Sequence, residues 1–211
     1  MAKAACLGAA LAAAVLAASA RAADAGLGGG AASETAPRGP FSAGAYAGAL
    51  YKSEFISIFY RPQDIDLGGS YLAAANFDYR FYEAAALPLR FEAEVDVAKR
   101  FTGANQSELD VAPFVRWTSF PWNDALYTNV RFGALGVSYV SGISAWERQN
   151  SGNNTGSRVL HFLVPEVTFA ASARAPAEFF VRVHHRSGGY GMIDGVYGGS
   201  NYLCAGFRVF L

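Results

Sequence analysis

His185 and Ser187 are the side chains in this sequence best placed to act on one another. A serine hydroxyl is a weak nucleophile until a base takes its proton, and a histidine within hydrogen-bond reach is the usual base. Around them, Phe179, Val181, Val183, His185 and Ser187 occupy one parity, and Phe180, Arg182, His184 and Arg186 the other. Strand side chains two apart lie on one face with Cα atoms about 6.5 Å apart, a span that an imidazole and a hydroxymethyl group can bridge. The chemistry this predicts is attack of the serine oxygen on a carbonyl. Taken alone, a His-x-Ser triplet also fits a rim histidine bound to water. His184 and His185 look like a metal pair, but adjacent strand residues point to opposite faces, so no metal site is expected of them. The glycine clusters lack the strand-to-helix setting of a nucleotide fingerprint.

The pair must be positioned by the strands that carry it, and the chain is built largely of such segments. Eight alternating stretches cover residues 43–52, 70–82, 87–101, 109–119, 126–139, 159–173, 178–187 and 201–211. Their lengths approach or exceed the roughly ten residues that a tilted membrane-crossing strand needs. In the third, Leu89, Phe91, Ala93, Val95 and Val97 alternate with Arg90, Glu92, Glu94 and Asp96. In the fourth, Leu109, Val111, Pro113, Val115 and Trp117 alternate with Asp110, Phe114 and Arg116, and in the second Phe77, Tyr79 and Phe81 oppose Asn76, Asp78, Arg80 and Tyr82. One face is apolar and the other charged.

A soluble sandwich or barrel would turn the apolar face inward. Three features favour the reverse. The connections alternate long and short, as in outer-membrane barrels with long external loops and short periplasmic turns. Trp117, Phe120, Trp122 and Tyr127 flank one short turn, as an interfacial girdle would. Both charge signs recur on the charged face, which lets them pair inside a barrel. The expected fold is therefore all-β, an eight-stranded antiparallel transmembrane β-barrel over residues 43–211. Arg90, Glu92, Glu94, Asp96, Arg116, Arg182, Arg208 and Cys204 should face inward, and eight strands leave a lumen filled by side chains.

Residues 1–22 read as an export signal, with Lys3, an apolar run rich in Ala and Leu, and Ala20-Arg21-Ala22 as the cleavage signal. Residues 23–42 are small, polar and glycine-rich, and read as a flexible periplasmic lead-in. A formal charge of zero gives no electrostatic footprint for nucleic acid. Cys6 leaves with the signal and Cys204 then has no partner, so burial and barrel closure must stabilise the fold.

By strand count, the seventh segment rises from a short turn towards a long loop, which puts His185 and Ser187 at the outer rim facing the membrane. On these residues the chain resembles the lipid A 3-O-deacylase family of the PagL type, exported eight-stranded barrels with a catalytic His-x-Ser motif on the late strands. The likeness in plan runs from about Ala43, and its specific motif is His185-Arg186-Ser187. The ending Phe207-Arg208-Val209-Phe210-Leu211 is similar to the last strand of outer-membrane barrels, with Leu211 in place of a terminal aromatic. The resemblance implies location in the bacterial outer membrane, lipid A of lipopolysaccharide as partner and substrate, and an ester hydrolase that requires no metal or organic cofactor.

The chain departs from the family at two points. Gly188 follows the serine where the family has asparagine, and the region of the family's third catalytic residue, a glutamate, reads Gly198-Gly199-Ser200-Asn201. Asn201 shares the outward parity of the last segment, and Asp194 is the only carboxylate of this hairpin beyond Ser187, so these two are the candidates to orient the imidazole. Gly188 and Gly189 are candidates to offer backbone N–H groups to an oxyanion. The competing function is a non-catalytic structural or adhesin-like outer-membrane barrel, which explains the architecture without a site.

Overall fold

The structure, a computed structural model, describes residues 38–211. The expected signal, 1–22, and most of the expected lead-in lie outside the described residues. Eight strands follow one another: β1 Phe41–Tyr51, β2 Leu67–Glu83, β3 Leu89–Phe101, β4 Gln106–Trp117, β5 Tyr127–Val140, β6 Val159–Ala170, β7 Ala177–Ser187 and β8 Gly199–Phe210. Each pairs antiparallel with the next, and β8 pairs with β1 from Ser42↔Phe210 to Tyr51↔Asn201, which closes the barrel and leaves no sheet edge. Two short α-helices lie in the long loops of the described residues, α1 Ser57–Tyr60 between β1 and β2 and α2 Ala145–Asn150 between β5 and β6. No helix among the described residues is long and apolar enough to cross a membrane.

The alternation settles which face is which. Val95, Val97, Leu109, Val111 and Val115 are exposed on the outside, while Glu92, Glu94, Asp96, Asp110 and Arg116 between them are buried. This transmembrane barrel is thus inverted relative to a soluble one, with lipid as the outer solvent. Charges inside such a wall need partners, because an unpaired buried charge is costly. Arg131 contacts Glu92 at 2.7 Å, Glu166 at 2.8 Å and Glu94 at 3.1 Å, as well as Asp78. Arg208 reaches Glu178 at 2.6 Å, Asp78 at 2.9 Å and Glu166 at 3.0 Å, and Arg182 joins Glu94 and Glu166. The planar guanidinium, with five donors, suits such multi-carboxylate contacts. Tyr46, Leu50, Leu72, Phe180, Tyr202 and Cys204 pack together as an apolar cluster with Trp146 of α2 against them, and nearer the long-loop end Arg100 and Arg186 share Glu108 and Glu147.

The structure corrects the sequence reading in four places. Strand β1 begins at Phe41, and Arg38 is already part of the barrel, donating to Ala175 O at 3.0 Å and Ser172 O at 3.1 Å; the lead-in therefore ends earlier than residue 42. Burial lowers the Arg38 pKa, against the raising effect of Glu178. Tyr127 is buried under the Arg38 guanidinium, 5.4 Å from its ring centre, rather than in the girdle. A register shift between Arg80 and Tyr82 turns Tyr82 outward, where its ring lies 5.7 Å from that of Phe91. Arg90 is only half-buried at the short-turn rim, where it donates to Glu83 at 3.0 Å.

Candidate active site

Pairing between β7 and β8 assembles the site. His185 lies directly opposite Asn201 and Ser187 opposite Gly199, while on the other side Ser187 faces His161 of β6. Directly opposed residues on antiparallel strands bring their side chains into contact, and residues two apart share the face, so three outward positions converge. His185 Nε2 is 3.1 Å from Ser187 Oγ, and His185 Nδ1 is 2.5 Å from Asn201 Oδ1.

A fourth residue fixes the protons. Asn201 Nδ2 donates to the Ser53 carbonyl at 3.2 Å. A carbonyl only accepts, so the Asn201 amide must present Nδ2 to Ser53 and Oδ1 to the imidazole. Asn201 Oδ1 in turn accepts the Nδ1 proton, which leaves Nε2 as the unprotonated nitrogen facing the serine hydroxyl. The Phe55 ring lies 4.3 Å from the imidazole and restricts its rotation. The arrangement is a hydroxyl, a base in the right tautomer and an orienting group, the requirements of nucleophilic attack on a carbonyl.

An open groove of about 960 Å³ begins at these three side chains. Phe55, Ile56, Leu163, Met192 and Ile193 make its walls largely apolar, and Lys52 and Glu54 also line it. Its lining is largely apolar, with His185, Ser187 and Asn201 among the polar side chains that face it.

The other candidates fall elsewhere. Asp194 does not approach His185: its Oδ2 accepts from Ser157 at 2.6 Å and its carbonyl from Asn153 at 2.9 Å, so it ties the β7–β8 loop to the β5–β6 loop. The Gly188 N–H donates to Gly198 O at 3.3 Å and is not free for an oxyanion. Gly188 is needed for space instead, since a Cβ there would lie 1.9 Å from the Val196 carbonyl oxygen. Gly189, in the left-handed region at φ 59°, lines the groove, and among the described residues its N–H has no acceptor. Of the two glycines only Gly189 keeps a donor for a developing oxyanion.

Ser53, Phe55 and His161 were not among the sequence candidates. Ser53 and Phe55 carry no periodic signal, because they belong to a loop that folds back from the far end of the chain. His161 had one, the outward parity of its strand, and its Nε2 donates to the Ala134 carbonyl beside it. His184 is fully buried on the opposite face of β7, with Nδ1 3.1 Å from the Tyr46 hydroxyl and Nε2 3.1 Å from Glu108 Oε1. With Glu108 and Asp110 it forms the one group among the described residues spaced for metal ligation, but both ring nitrogens already have protein partners.

No family model matches the chain, and no curated protein matches it. Among solved structures it is similar to the outer membrane enzyme PagL, with a TM-score of 0.57 over 81% of this chain and 99% of that chain, at 14% identity. It is also similar to Neisserial surface protein A, NspA, with a TM-score of 0.44 over 83% of this chain and 100% of that one, at 13% identity. At such identities the likeness to PagL concerns the fold alone.

Proposed function

We propose that this protein is an outer-membrane ester hydrolase that removes an acyl chain from lipid A. The observation that carries the reading is the hydrogen-bonded row Ser187, His185, Asn201 and the Ser53 carbonyl, opening onto a largely apolar groove at the long-loop end of the barrel. Lipid A is the acylated anchor of lipopolysaccharide in the outer leaflet, and a site at the long-loop rim of an outer-membrane barrel would meet its ester bonds. The likeness in fold to the enzyme PagL supports the same reading.

The steps follow from the tautomer. His185 Nε2 takes the Ser187 proton as Oγ bonds to the ester carbonyl carbon, and the Gly189 N–H in the groove lining, unpaired among the described residues, is the donor for the oxyanion. The imidazolium returns that proton to the sugar alkoxide, which leaves, and the acyl group remains on Ser187. Water, deprotonated by the same nitrogen, then attacks the acyl-serine; the carboxylic acid departs and the hydroxyl is restored. Asn201 holds the ring throughout but, being neutral, stabilises the imidazolium less than a carboxylate would.

That neutrality is also what a non-catalytic barrel would tolerate. The two readings separate on the mass of lipid A from cells that produce the protein. A hydrolase leaves lipid A lighter by one hydroxyacyl chain, and Ser187→Ala restores the original mass; unchanged lipid A in the presence of folded wild-type barrel would remove the enzyme reading.

A further inference from the structure

We propose that Glu147, in the β5–β6 loop and outside the catalytic row, is a positioning residue that sets the acyl groove of this site; the inference rests on the ester-hydrolase reading. Glu147 is 1% exposed although it sits in a loop helix, and the Ser144 hydroxyl caps that helix by accepting from its N–H at 3.1 Å. Its Oε1 accepts from Arg100 at 2.9 Å, Arg186 at 2.5 Å and the Ser200 hydroxyl at 2.8 Å.

Two of these partners define its role. Arg186 and Ser200 are a directly opposed pair of β7 and β8, lying between the pairs His185–Asn201 and Ser187–Gly199. The catalytic side chains point outward and this pair points inward, so Glu147 grips the inner side of the same piece of sheet that carries the chemistry on its outer side. A second hold is at the end of α2, where Tyr197 N donates to Ser151 O at 2.8 Å. The Asn150 carbonyl there comes so near that a Cβ on Gly198 would lie 2.0 Å from it.

With α2 held at both points, Trp146 and Asn150, which flank Glu147 in the helix, are brought to the groove. Without the carboxylate, two buried guanidiniums lose a shared partner, and the helix loses its attachment to the barrel mouth. The outer part of the groove should then lose its shape while Ser187, His185 and Asn201 keep their cross-strand geometry. Glu147 thereby governs the binding of long acyl chains rather than the bond-breaking step.

The test uses full-length wild type, Glu147→Gln and Glu147→Asp in detergent micelles, with p-nitrophenyl butyrate and p-nitrophenyl myristate as short and long esters. Retained heat-modifiable migration verifies the folded barrel. For Glu147→Gln the expected result is a KM for the long ester raised about tenfold with kcat nearly unchanged, and little change on the short ester. Glu147→Asp, which keeps the charge, should recover most of the loss. An equal loss on both esters, or unaltered chain-length preference, overturns the role of Glu147. Hydrolysis of neither ester by folded wild type would instead overturn the hydrolase reading beneath it.

Discussion

The lumen and the rim of this barrel use hydrogen bonds in opposite ways. Inside, Arg131 and Arg208 each meet four carboxylates, so each guanidinium is held from several sides. At the rim, Ser187, His185, Asn201 and the Ser53 carbonyl stand in single file, joined by three hydrogen bonds, with one partner on each side of His185 and of Asn201. The lumen network serves the fold, whereas in the hydrolase proposed above the rim row passes a proton and so needs one defined direction. Redundancy suits the first and would defeat the second.

If that contrast holds, the largest effects on turnover come from the row. Ser187→Ala and His185→Ala should each bring ester hydrolysis to background with the barrel still folded, and the double variant should be scarcely worse than either, measured by initial rates in micelles. Loss of the orienting group comes next: Asn201→Ala should lower kcat by about 10² to 10⁴, by analogy with loss of the orienting aspartate in serine hydrolases.

The lumen should answer in stability instead. Arg131→Ala leaves Asp78, Glu92, Glu94 and Glu166 short of a common cation, and removing one partner of a buried ion pair costs on the order of 3–5 kcal/mol. Urea titration should report that loss, while the folded fraction keeps its kcat; a large fall in kcat at unchanged stability would erase the distinction between the regions.

The smallest effects belong to the loops. Asp194→Ala should change kcat less than about threefold, since its carboxylate bonds to Ser157 and not to the imidazole. Burial opposes the charge of Glu147, but Arg100 and Arg186 outweigh it and hold its pKa below the usual carboxylate range. A depressed carboxylate stabilises above its unfolded pKa of about 4.3 and loses that contribution only as pH falls through the lower folded value. Tryptic cleavage after Arg148, in samples held at each pH and returned to pH 8 for brief digestion, should therefore be equally slow after incubation at pH 7 and pH 5.

Much of this division was legible in the sequence. Alternation places Glu92, Glu94, Asp96 and Arg116 inside because a two-residue period leaves no other choice once the apolar face meets lipid. The same parity puts His185, Ser187 and Asn201 together, and pairing of consecutive strands makes His185 and Asn201 neighbours. What alternation misses is where the period slips, as between Arg80 and Tyr82, since a bulge adds a residue without a signature of its own. It also misses loop residues. Ser53 and Phe55 reach the site by a fold-back that no periodic pattern encodes, and Gly188 is a glycine for the sake of the Val196 carbonyl.

The central claim is that Ser187 is a nucleophile because His185 accepts its proton. A phosphonofluoridate that mimics an acyl ester tests it most directly, read by the intact mass of the folded protein. The account predicts a single covalent adduct mapping to Ser187 in wild type and none in His185→Ala. An unmodified wild-type protein, an adduct at another residue, or equal labelling of His185→Ala would contradict it.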